Sequence, residues 1–306
     1  MGSISKIMEQ MEALPPPEAE AADATTVDAV PVETDGTPSA APEGVAAWSQ
    51  PTESNFQPSP ASPLRAAADP ATVAWNPQRV DPSVIAFHNR YASMCEQYRS
   101  IRARLVSMNP SNRHQVLVIT SSVPEEGKSV TSLNLAITMA EGGEQRVVVC
   151  DADFRRSSLA RMLGVPTSPG LAEVFLGRAT LEEALQPTPF PNLKILPAGE
   201  VGDRNYGDLL AAPAVGEVFQ ALRGAFGVCL VDTPPVTTVS DVCVLAPHCD
   251  GALLVIEMGR TPEPAVQLAV RSLQTNTVNI VGCVLSRFRD HRTHYYDRYY
   301  GYYSRR

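Results

Sequence analysis

The chain has 306 residues, which is enough for one large α/β domain together with segments that do not pack. Its net charge of −8 is concentrated near the N-terminus, because residues 1–81 hold twelve acidic and three basic side chains and the rest is close to neutral. The acidic pI of about 5.2 therefore describes this leading segment and says little about partners of the folded part.

The cysteine and apolar patterns indicate the compartment. The six cysteines have no CxxC spacing and several lie in apolar, strand-like runs, which favours small buried side chains over a metal site or disulfides. No apolar run approaches the ~18 residues needed to span a bilayer. We therefore predict a cytoplasmic protein, peripheral at the inner membrane only through a partner.

The first 82 residues predict little packed structure. Residues 4–14 place apolar side chains at i, i+3, i+4 and i+7, which indicates a short amphipathic helix over 1–14, either a docking peptide or a marginal helix without a target. Residues 15–82 hold thirteen of the 27 prolines and cannot bury enough apolar surface to offset their ordering entropy. A disordered, Pro/Ala-rich acidic linker is predicted over 15–82.

Residues 83–290 alternate between helical and strand patterns, which predicts a doubly wound, mostly parallel α/β sheet. A helix is expected first, over 83–107. Strands covered on both faces are predicted at 115–120, 146–151, 193–197, 227–232, 251–257 and 279–285, with helices between them, for example at 128–141, 214–225 and 261–275. Ligands of such sheets bind at the carboxyl ends of the strands.

A phosphate-binding loop is predicted between the first strand and the following helix. Backbone N–H groups of such a loop and the helix N-terminus surround phosphate oxygens. Lys128 would reach the β- and γ-phosphates and Ser129 would bind Mg²⁺, which is the pattern of a P-loop NTPase. The predicted nucleotide contacts in the loop are Val123, Pro124, Glu125, Glu126, Gly127, Lys128, Ser129 and Val130.

Three carboxylates are predicted to lie beside this loop. Asp151 and Asp153 follow the second strand and Asp232 ends a later strand, so a parallel sheet brings them to one edge. Carboxylates there are well placed for Mg²⁺. A single Asp after a strand is often a helix cap, but three around one phosphate loop favour a metal site.

Residues 291–306 form a tyrosine-rich tail, whose rings are too dense to pack together in a core. From Arg287 onward the chain has six Arg and two Asp. We interpret the tyrosines as phosphate acceptors. The alternatives are a sticky aromatic tail and a single-stranded nucleic-acid site, which no basic patch on the fold supports. The candidate acceptors are Tyr295, Tyr296, Tyr299, Tyr300, Tyr302 and Tyr303.

Four motifs together resemble the bacterial tyrosine kinases: the loop PEEGKS, the segment VVVCDADFRR, the segment CLVDTPPV and the terminal tyrosines. They occur in the family's order over about residues 85–306. The resemblance implies ATP and Mg²⁺ as cofactors and autophosphorylation of the tail. It also implies that Lys128, Asp151 and Asp153 are catalytic, with Asp151 as the base for the tyrosine hydroxyl, and that Ser129, Asp153 and Asp232 hold the metal.

The resemblance also implies partners. The family's ExxRxxR pattern occurs as Glu96, Arg99 and Arg102, which in the family supports ring-like self-association; alone, it is an exposed charged stripe on a helix. A membrane-embedded protein that sets polysaccharide chain length is expected as activator, and a tyrosine phosphatase as antagonist. A role in exopolysaccharide or capsule biosynthesis and export follows, with no nucleic-acid partner.

Two departures from the family keep other functions open. Glu125 stands where the family usually has Gly, so its carboxylate could repel phosphate, and Ser286 stands where many relatives carry Asn for adenine contact. A nucleotide-binding scaffold without phosphotransfer is therefore one alternative. A positioning ATPase of the same fold is another, although Val123 replaces the signature Lys of that class.

Overall fold

The computed structural model describes residues 76–143 and 145–287. The predicted helix at 1–14, the linker up to residue 75 and the tyrosine-rich tail lie outside the described residues. The strands are Gln115–Ser121 (β1), Val147–Asp151 (β2), Gln186–Pro187 (β3), Leu193–Leu196 (β4), Val228–Asp232 (β5), Gly251–Glu257 (β6) and Ile280–Ser286 (β7).

These strands form one seven-stranded sheet in the order β3-β4-β2-β5-β1-β6-β7. Neighbouring strands are parallel except β3 and β4, which are antiparallel. The described part of the chain thus confirms the predicted doubly wound, mostly parallel sheet. β1 lies between β5 and β6, so the loop that follows β1 is central at the carboxyl edge.

Helices cover both faces of the sheet. The α-helices are Ile85–His88 (α1), Ser93–Ser107 (α2), Lys128–Glu141 (α3), Leu159–Leu163 (α4), Leu171–Phe175 (α5), Leu181–Ala184 (α6), Tyr206–Leu210 (α7), Ala214–Ala225 (α8), Asp241–Leu245 (α9) and Glu263–Thr275 (α10). Two 3-10 helices lie at Pro77–Arg79 and Ala246–His248. Each face has its own apolar core: α1 to α4 contribute to one, and α5 to α10 to the other.

Alternating side chains of the strands supply the two cores. In β1, Val116 and Val118 belong to one apolar cluster and Leu117 and Ile119 to the other. A strand covered on both faces is apolar at every position, which explains why these runs are nearly continuous in the sequence. The sheet is therefore a rigid platform for the loops at its carboxyl edge.

Two predicted boundaries are wrong at the start of the domain. The fold includes residues before position 83: Val80 is buried, and the Asp81 N–H donates to the Met162 carbonyl (2.8 Å). The single helix predicted over 83–107 is interrupted between α1 and α2, where the Asn89 side chain accepts the N–H of Tyr91 (3.2 Å). Asn side chains compete in this way with helical hydrogen bonds.

Within the described ranges, no helix is both long and apolar enough to cross a membrane.

Candidate nucleotide site

The loop between β1 and α3 has the geometry of an anion-binding site. Gly127 is the N-cap of α3 and has φ of +87°, a left-handed conformation that glycine adopts without a steric cost. α3 then begins at Lys128, as predicted. The hydrogen bonds among the described residues use none of the N–H groups of 125–130, and the first N–H groups of a helix have no intrahelical acceptor. These donors and the helix dipole favour a phosphate group here.

Glu126 shapes the loop from inside. Its side chain is buried, and its carboxylate accepts the N–H of Val123 (2.7 Å), the N–H of Glu257 (3.2 Å) and the hydroxyl of Thr261. The predicted contact of Val123 with nucleotide therefore cannot use its N–H, which is already bonded. Glu126 acts as an internal acceptor that joins the loop to the end of β6.

Glu125 occupies a position that suits glycine. Its φ is +70°, in the left-handed region that side chains rarely adopt, which gives a physical reason for the Gly of the resembled family. The side chain is 62% exposed, with its carboxylate 3.5 Å from Arg156 and 3.7 Å from Arg260. The two guanidinium groups offset the charge that was expected to repel phosphate. Pro124 is exposed beside it.

Asp232 lies behind the first turn of α3. It is fully buried, and it accepts hydrogen bonds from Ser129 Oγ (2.6 Å) and Ser132 Oγ (3.0 Å). Asp151 is its register partner on the neighbouring strand β2. Asp153 lies on the same side of the loop, with its carboxylate 3.4 Å from Lys128 Nζ. The structure therefore brings the three predicted carboxylates, Lys128 and Ser129 together.

Asp151 is held by backbone N–H groups. Its two carboxylate oxygens accept from the N–H groups of Asp153 (3.2 Å), Ser158 (2.9 Å) and Leu159 (3.0 Å). Burial, followed by the nearby charge of Asp232, nevertheless raises the pKa of Asp151 to about 7. Asp151 is thus a buried carboxyl group that can be protonated or ionised near neutral pH.

The pKa of Asp232 is also raised, to about 6, chiefly by burial. The charge of Lys128 and the hydrogen bonds from Ser129 and Ser132 lower that pKa and only partly offset the burial. Ionisation of these two buried acids is unfavourable unless a positive charge lies nearby. A cation at this edge of the sheet would lower both pKa values.

The donor set fits Mg²⁺ bound together with phosphate. Across the described residues, no three His, Cys, Asp or Glu side chains converge as a metal cage. Mg²⁺ does not need one, since it usually keeps several waters and uses one or two carboxylates with substrate phosphates. Ser129 Oγ, Asp153 and Asp232 offer such oxygens. The buried hydroxyl of Ser122, in the same loop, has no partner among the described residues, so one polar group of the loop is still free to bind.

Ser286 closes the loop from the other side. Its Oγ donates to the Glu126 carbonyl (2.6 Å), so its hydroxyl is committed to the loop rather than free for an adenine contact. Val130 and Ser286 line a largely apolar cleft of about 480 Å³ that opens beside Gly127. Tyr98 and Ile101 of α2 also line it. The cleft adjoins the phosphate loop and is large enough for a planar base.

The ExxRxxR residues are partly used within the chain itself. Arg99 pairs with Glu96 (2.5 Å) and donates to the Arg90 carbonyl (2.6 Å), and Arg102 donates to the Thr138 carbonyl of α3 (2.7 Å). Glu96 remains mostly exposed. The stripe therefore contributes hydrogen bonds between α2 and α3. Its role in self-association remains a prediction.

Several groups at the site were not predicted from the sequence. Ser132 lies one turn beyond Ser129 in a helix of ordinary composition, and Arg156 and Arg260 resemble other surface arginines in the sequence. The Ser122 hydroxyl likewise has no motif of its own. Only the sequence TSLN, with Ser132 three positions after Ser129, offered a signal, since i and i+3 share a helix face.

Comparisons with known proteins place the chain in a family. No family model matches it. It is 30% identical over 208 residues to the tyrosine-protein kinase YwqD of Bacillus subtilis, covering 68% of this chain and 87% of that protein. It is 31% identical over 219 residues to the tyrosine-protein kinase CpsD of Streptococcus agalactiae, covering 71% and 93% respectively. The succinoglycan biosynthesis transport protein ExoP of Rhizobium meliloti is 30% identical over 198 residues, but this chain covers 25% of it.

Solved structures agree with these relatives. The kinase domain of the Escherichia coli tyrosine kinase ETK superposes with a TM-score of 0.63 at 28% identity, covering 69% of this chain and 84% of that domain. The BceF tyrosine kinase domain gives a TM-score of 0.58 at 31% identity, covering 66% and 81%. Sequence and fold agree over most of the length of these kinases, so this chain belongs to the bacterial tyrosine kinase family.

Proposed function

We propose that this chain is an ATP-dependent autokinase that phosphorylates the tyrosines of its own tail, with the tail of one copy entering the site of another within an oligomer. The observation that carries the proposal is the convergence of Lys128, Ser129, Asp151, Asp153 and Asp232 at the unpaired N-terminus of α3. The tyrosines at 295–303 provide a dense set of acceptors in the same chain.

The phosphate loop is proposed to bind ATP through 123–130, with Ser286 at its rim. The N–H groups of 125–130 donate to phosphate oxygens, and Lys128 supplies the positive charge for the β- and γ-phosphates. Lys128 already pairs with Asp153 at 3.4 Å, so it is held at the loop before nucleotide arrives. The cleft lined by Val130 accommodates the base.

Mg²⁺ would neutralise phosphate oxygens and hold them in line for transfer. Ser129, Asp153 and Asp232 are the proposed ligands, directly or through water. The bond from Ser129 Oγ to Asp232 keeps the hydroxyl oriented at the start of α3. The raised pKa of Asp232 supports this assignment, because a bound cation compensates a buried carboxylate.

Asp151 is proposed as the base. Its pKa is about 7 without a bound cation, and a cation beside it would lower that pKa, so with Mg²⁺ bound the carboxylate would be ionised near neutral pH and able to take the proton of a tyrosine hydroxyl. In the proposed step the tyrosine oxygen attacks the γ-phosphorus, the bond to the β-phosphate oxygen breaks, and the phenolic proton passes to Asp151. The backbone N–H groups that hold Asp151 fix its position during this transfer.

The proposed biological role is control of exopolysaccharide or capsule production at the cytoplasmic side of the membrane. ExoP is named for succinoglycan biosynthesis and transport, which supports a polysaccharide context. Glu96, Arg99 and Arg102 are proposed to contribute to self-association. A membrane-embedded chain-length protein would act as activator, and a tyrosine phosphatase would reverse the modification.

The first test is incubation of the full chain with ATP and Mg²⁺, followed by mass spectrometry of phosphotyrosine. Phosphate is expected on residues 295–303 and should disappear in Lys128→Ala. Lys194→Ala is the matched control, because Lys194 lies on β4, away from the loop, and this variant should retain the modification. Wild-type tyrosines that remain unmodified, also after the cytoplasmic segment of the activating membrane protein is added, would refute the proposal.

A mixing experiment tests transfer between copies. Lys128→Ala protein with its native tail is combined with a protein whose six tail tyrosines are replaced by Phe. Phosphate on the Lys128→Ala tail shows transfer from one copy to another. An unmodified tail in the mixture, beside a modified tail in wild type alone, would restrict the reaction to a single copy.

Glu125 favours a second candidate, a nucleotide-binding scaffold without phosphotransfer. Its carboxylate lies in the phosphate loop at a position where φ is +70°. Tight binding of Mg·ADP by calorimetry, together with no phosphotyrosine in wild type and its appearance in Glu125→Gly, would establish this second function.

A further inference from the structure

Tyr91 differs from the other tyrosines of the folded domain. It lies in the short connection between α1 and α2, and 84% of its surface is exposed. Tyr98 is mostly buried, and burial raises its pKa. Tyr206 is covered by Arg155, whose guanidinium carbon lies 4.7 Å from the ring centroid. Tyr91 is therefore the most accessible tyrosine of residues 76–143 and 145–287.

The Tyr91 hydroxyl is free to react. In the described ranges no group hydrogen-bonds to it; the N–H of the residue donates to Asn89 Oδ1 (3.2 Å). Because residues 89–92 lie between two helices, the ring can approach another molecule without unfolding either helix. A phosphate acceptor needs such a projecting side chain.

The local sequence resembles that of the proposed acceptors. Arg90 precedes Tyr91 in NRYA, and Arg298 precedes Tyr299 in DRYY. The Arg90 guanidinium carbon lies 5.5 Å from the Tyr91 ring centroid, so a positive charge accompanies the ring. An active site that accepts a tyrosine preceded by arginine in the tail meets the same pair of side chains here.

We infer that Tyr91 is a further phosphorylation site, modified by another copy of this chain. The inference rests on the proposed autokinase function. Tyr91 Oη attacks the γ-phosphorus of ATP bound to the other copy, the bond to the β-phosphate oxygen breaks, and ADP leaves. The phenolic proton passes to the base of that copy, so the products are phosphotyrosine and ADP.

Modification of Tyr91 changes the charge of the surface near the ExxRxxR stripe. A phosphate adds about −1.5 to −2 charges at neutral pH. The Arg90 carbonyl accepts a hydrogen bond from Arg99 (2.6 Å), and Arg99 also pairs with the exposed Glu96. A phosphate on Tyr91 would add negative charge one residue away from the carbonyl that Arg99 binds, so we expect it to weaken any contact between copies that uses this stripe.

The test uses the full chain with all six tail tyrosines replaced by Phe, incubated with ATP and Mg²⁺. Fragment-ion mass spectrometry of the segment containing Tyr91 and Tyr98 is expected to show phosphate on Tyr91 and none on Tyr98. The signal should be lost in Tyr91→Phe and in Lys128→Ala made in the same background. Phosphate on Tyr91 in the Lys128→Ala protein would overturn the inference, because the chain's own site would not be responsible.

An unmodified Tyr91 would also overturn the inference. The state of the wild-type tail then shows whether the inference alone or the proposed autokinase function has failed. Phosphate on the wild-type tail with none on Tyr91 confines the failure to this inference. Phosphate on neither refutes the proposed autokinase as well. Sedimentation of the phosphorylated six-Phe protein against its Tyr91→Phe version tests the effect on assembly, and equal oligomer distributions would overturn that part.

Discussion

Replacement of Asp232 by Asn should make the metal-free domain more stable while it removes Mg²⁺ binding. Asp232 is fully buried, and its ordinary pKa of 3.8 is raised to about 6, mainly by burial. Asn has nearly the same shape; Ser129 Oγ can still donate to its amide oxygen, and Ser132 Oγ can accept from its NH2 group while donating to the Lys128 carbonyl. The substitution therefore removes a buried charge and keeps both hydrogen bonds.

The size of the effect follows from the pKa. A rise of about two units corresponds to about 3 kcal/mol between the folded and unfolded states. Because the pKa of Asp232 is higher in the folded state than in the unfolded state, its burial costs no stability at a pH below the unfolded value of 3.8. As pH rises from there through about 6, the carboxyl group ionises and that stability is lost. Wild type thus loses about 3 kcal/mol by pH 8 and about half of that by pH 5. The Asn variant escapes this loss.

Thermal unfolding in EDTA at pH 5 and pH 8 measures the difference. At pH 8 the Tm of Asp232→Asn should exceed that of wild type by about 6–12 °C, with about half that gain at pH 5. Asp241→Asn is the matched control, because Asp241 is also buried but pairs with Arg155, so this variant should be less stable than wild type. A Tm of Asp232→Asn at or below wild type at pH 8 would refute the reasoning.

Three other variants test separate features. Glu125→Gly should be more stable than Glu125→Gln by about 1 kcal/mol in denaturant unfolding, because only Gly removes the strain of the left-handed backbone at this position. Equal unfolding midpoints would contradict this. Glu126→Ala leaves two backbone N–H groups, that of Val123 among them, without an acceptor and should cost about 2–5 kcal/mol and weaken ADP binding in calorimetry; wild-type stability would exclude its anchoring role. Arg102→Ala loses its bond to the Thr138 carbonyl and should be less stable by about 1–2 kcal/mol even in dilute monomeric protein; an unchanged Tm would show that Arg102 serves assembly alone.

Local patterns predicted much of the fold because their causes are local. α3 spans Lys128–Glu141 as predicted, since a buried strand, a glycine and a helical apolar pattern follow one another directly. The break between α1 and α2 was missed because it depends on one side chain, Asn89, and on the bond from the Ala86 N–H to Asn134 Oδ1 (2.9 Å) on α3. β3 was missed because its two residues become a strand only by pairing with β4.

The candidate site was predictable in position but not in detail. Strand ends alone brought Asp151 and Asp232 to the same edge of the sheet. The inward turn of Glu126 was not visible in the sequence, because its partners Glu257 and Thr261 lie more than 130 positions away. The sequence likewise could not show that Arg102 binds within its own chain, since an exposed stripe and a helix contact have the same spacing.

The hydrogen bond from Ser286 to Glu126 means that the nucleotide site is completed only late in synthesis of the chain. β1 pairs with β5 and β6, so its register is fixed only after both of those strands have left the ribosome. Ser286 ends β7 and then reaches the loop, and the tyrosines at 295–303 follow it in the chain. A chain interrupted before β7 would have neither a finished phosphate loop nor the tail tyrosines, so an unfinished copy is expected to be inert as a kinase.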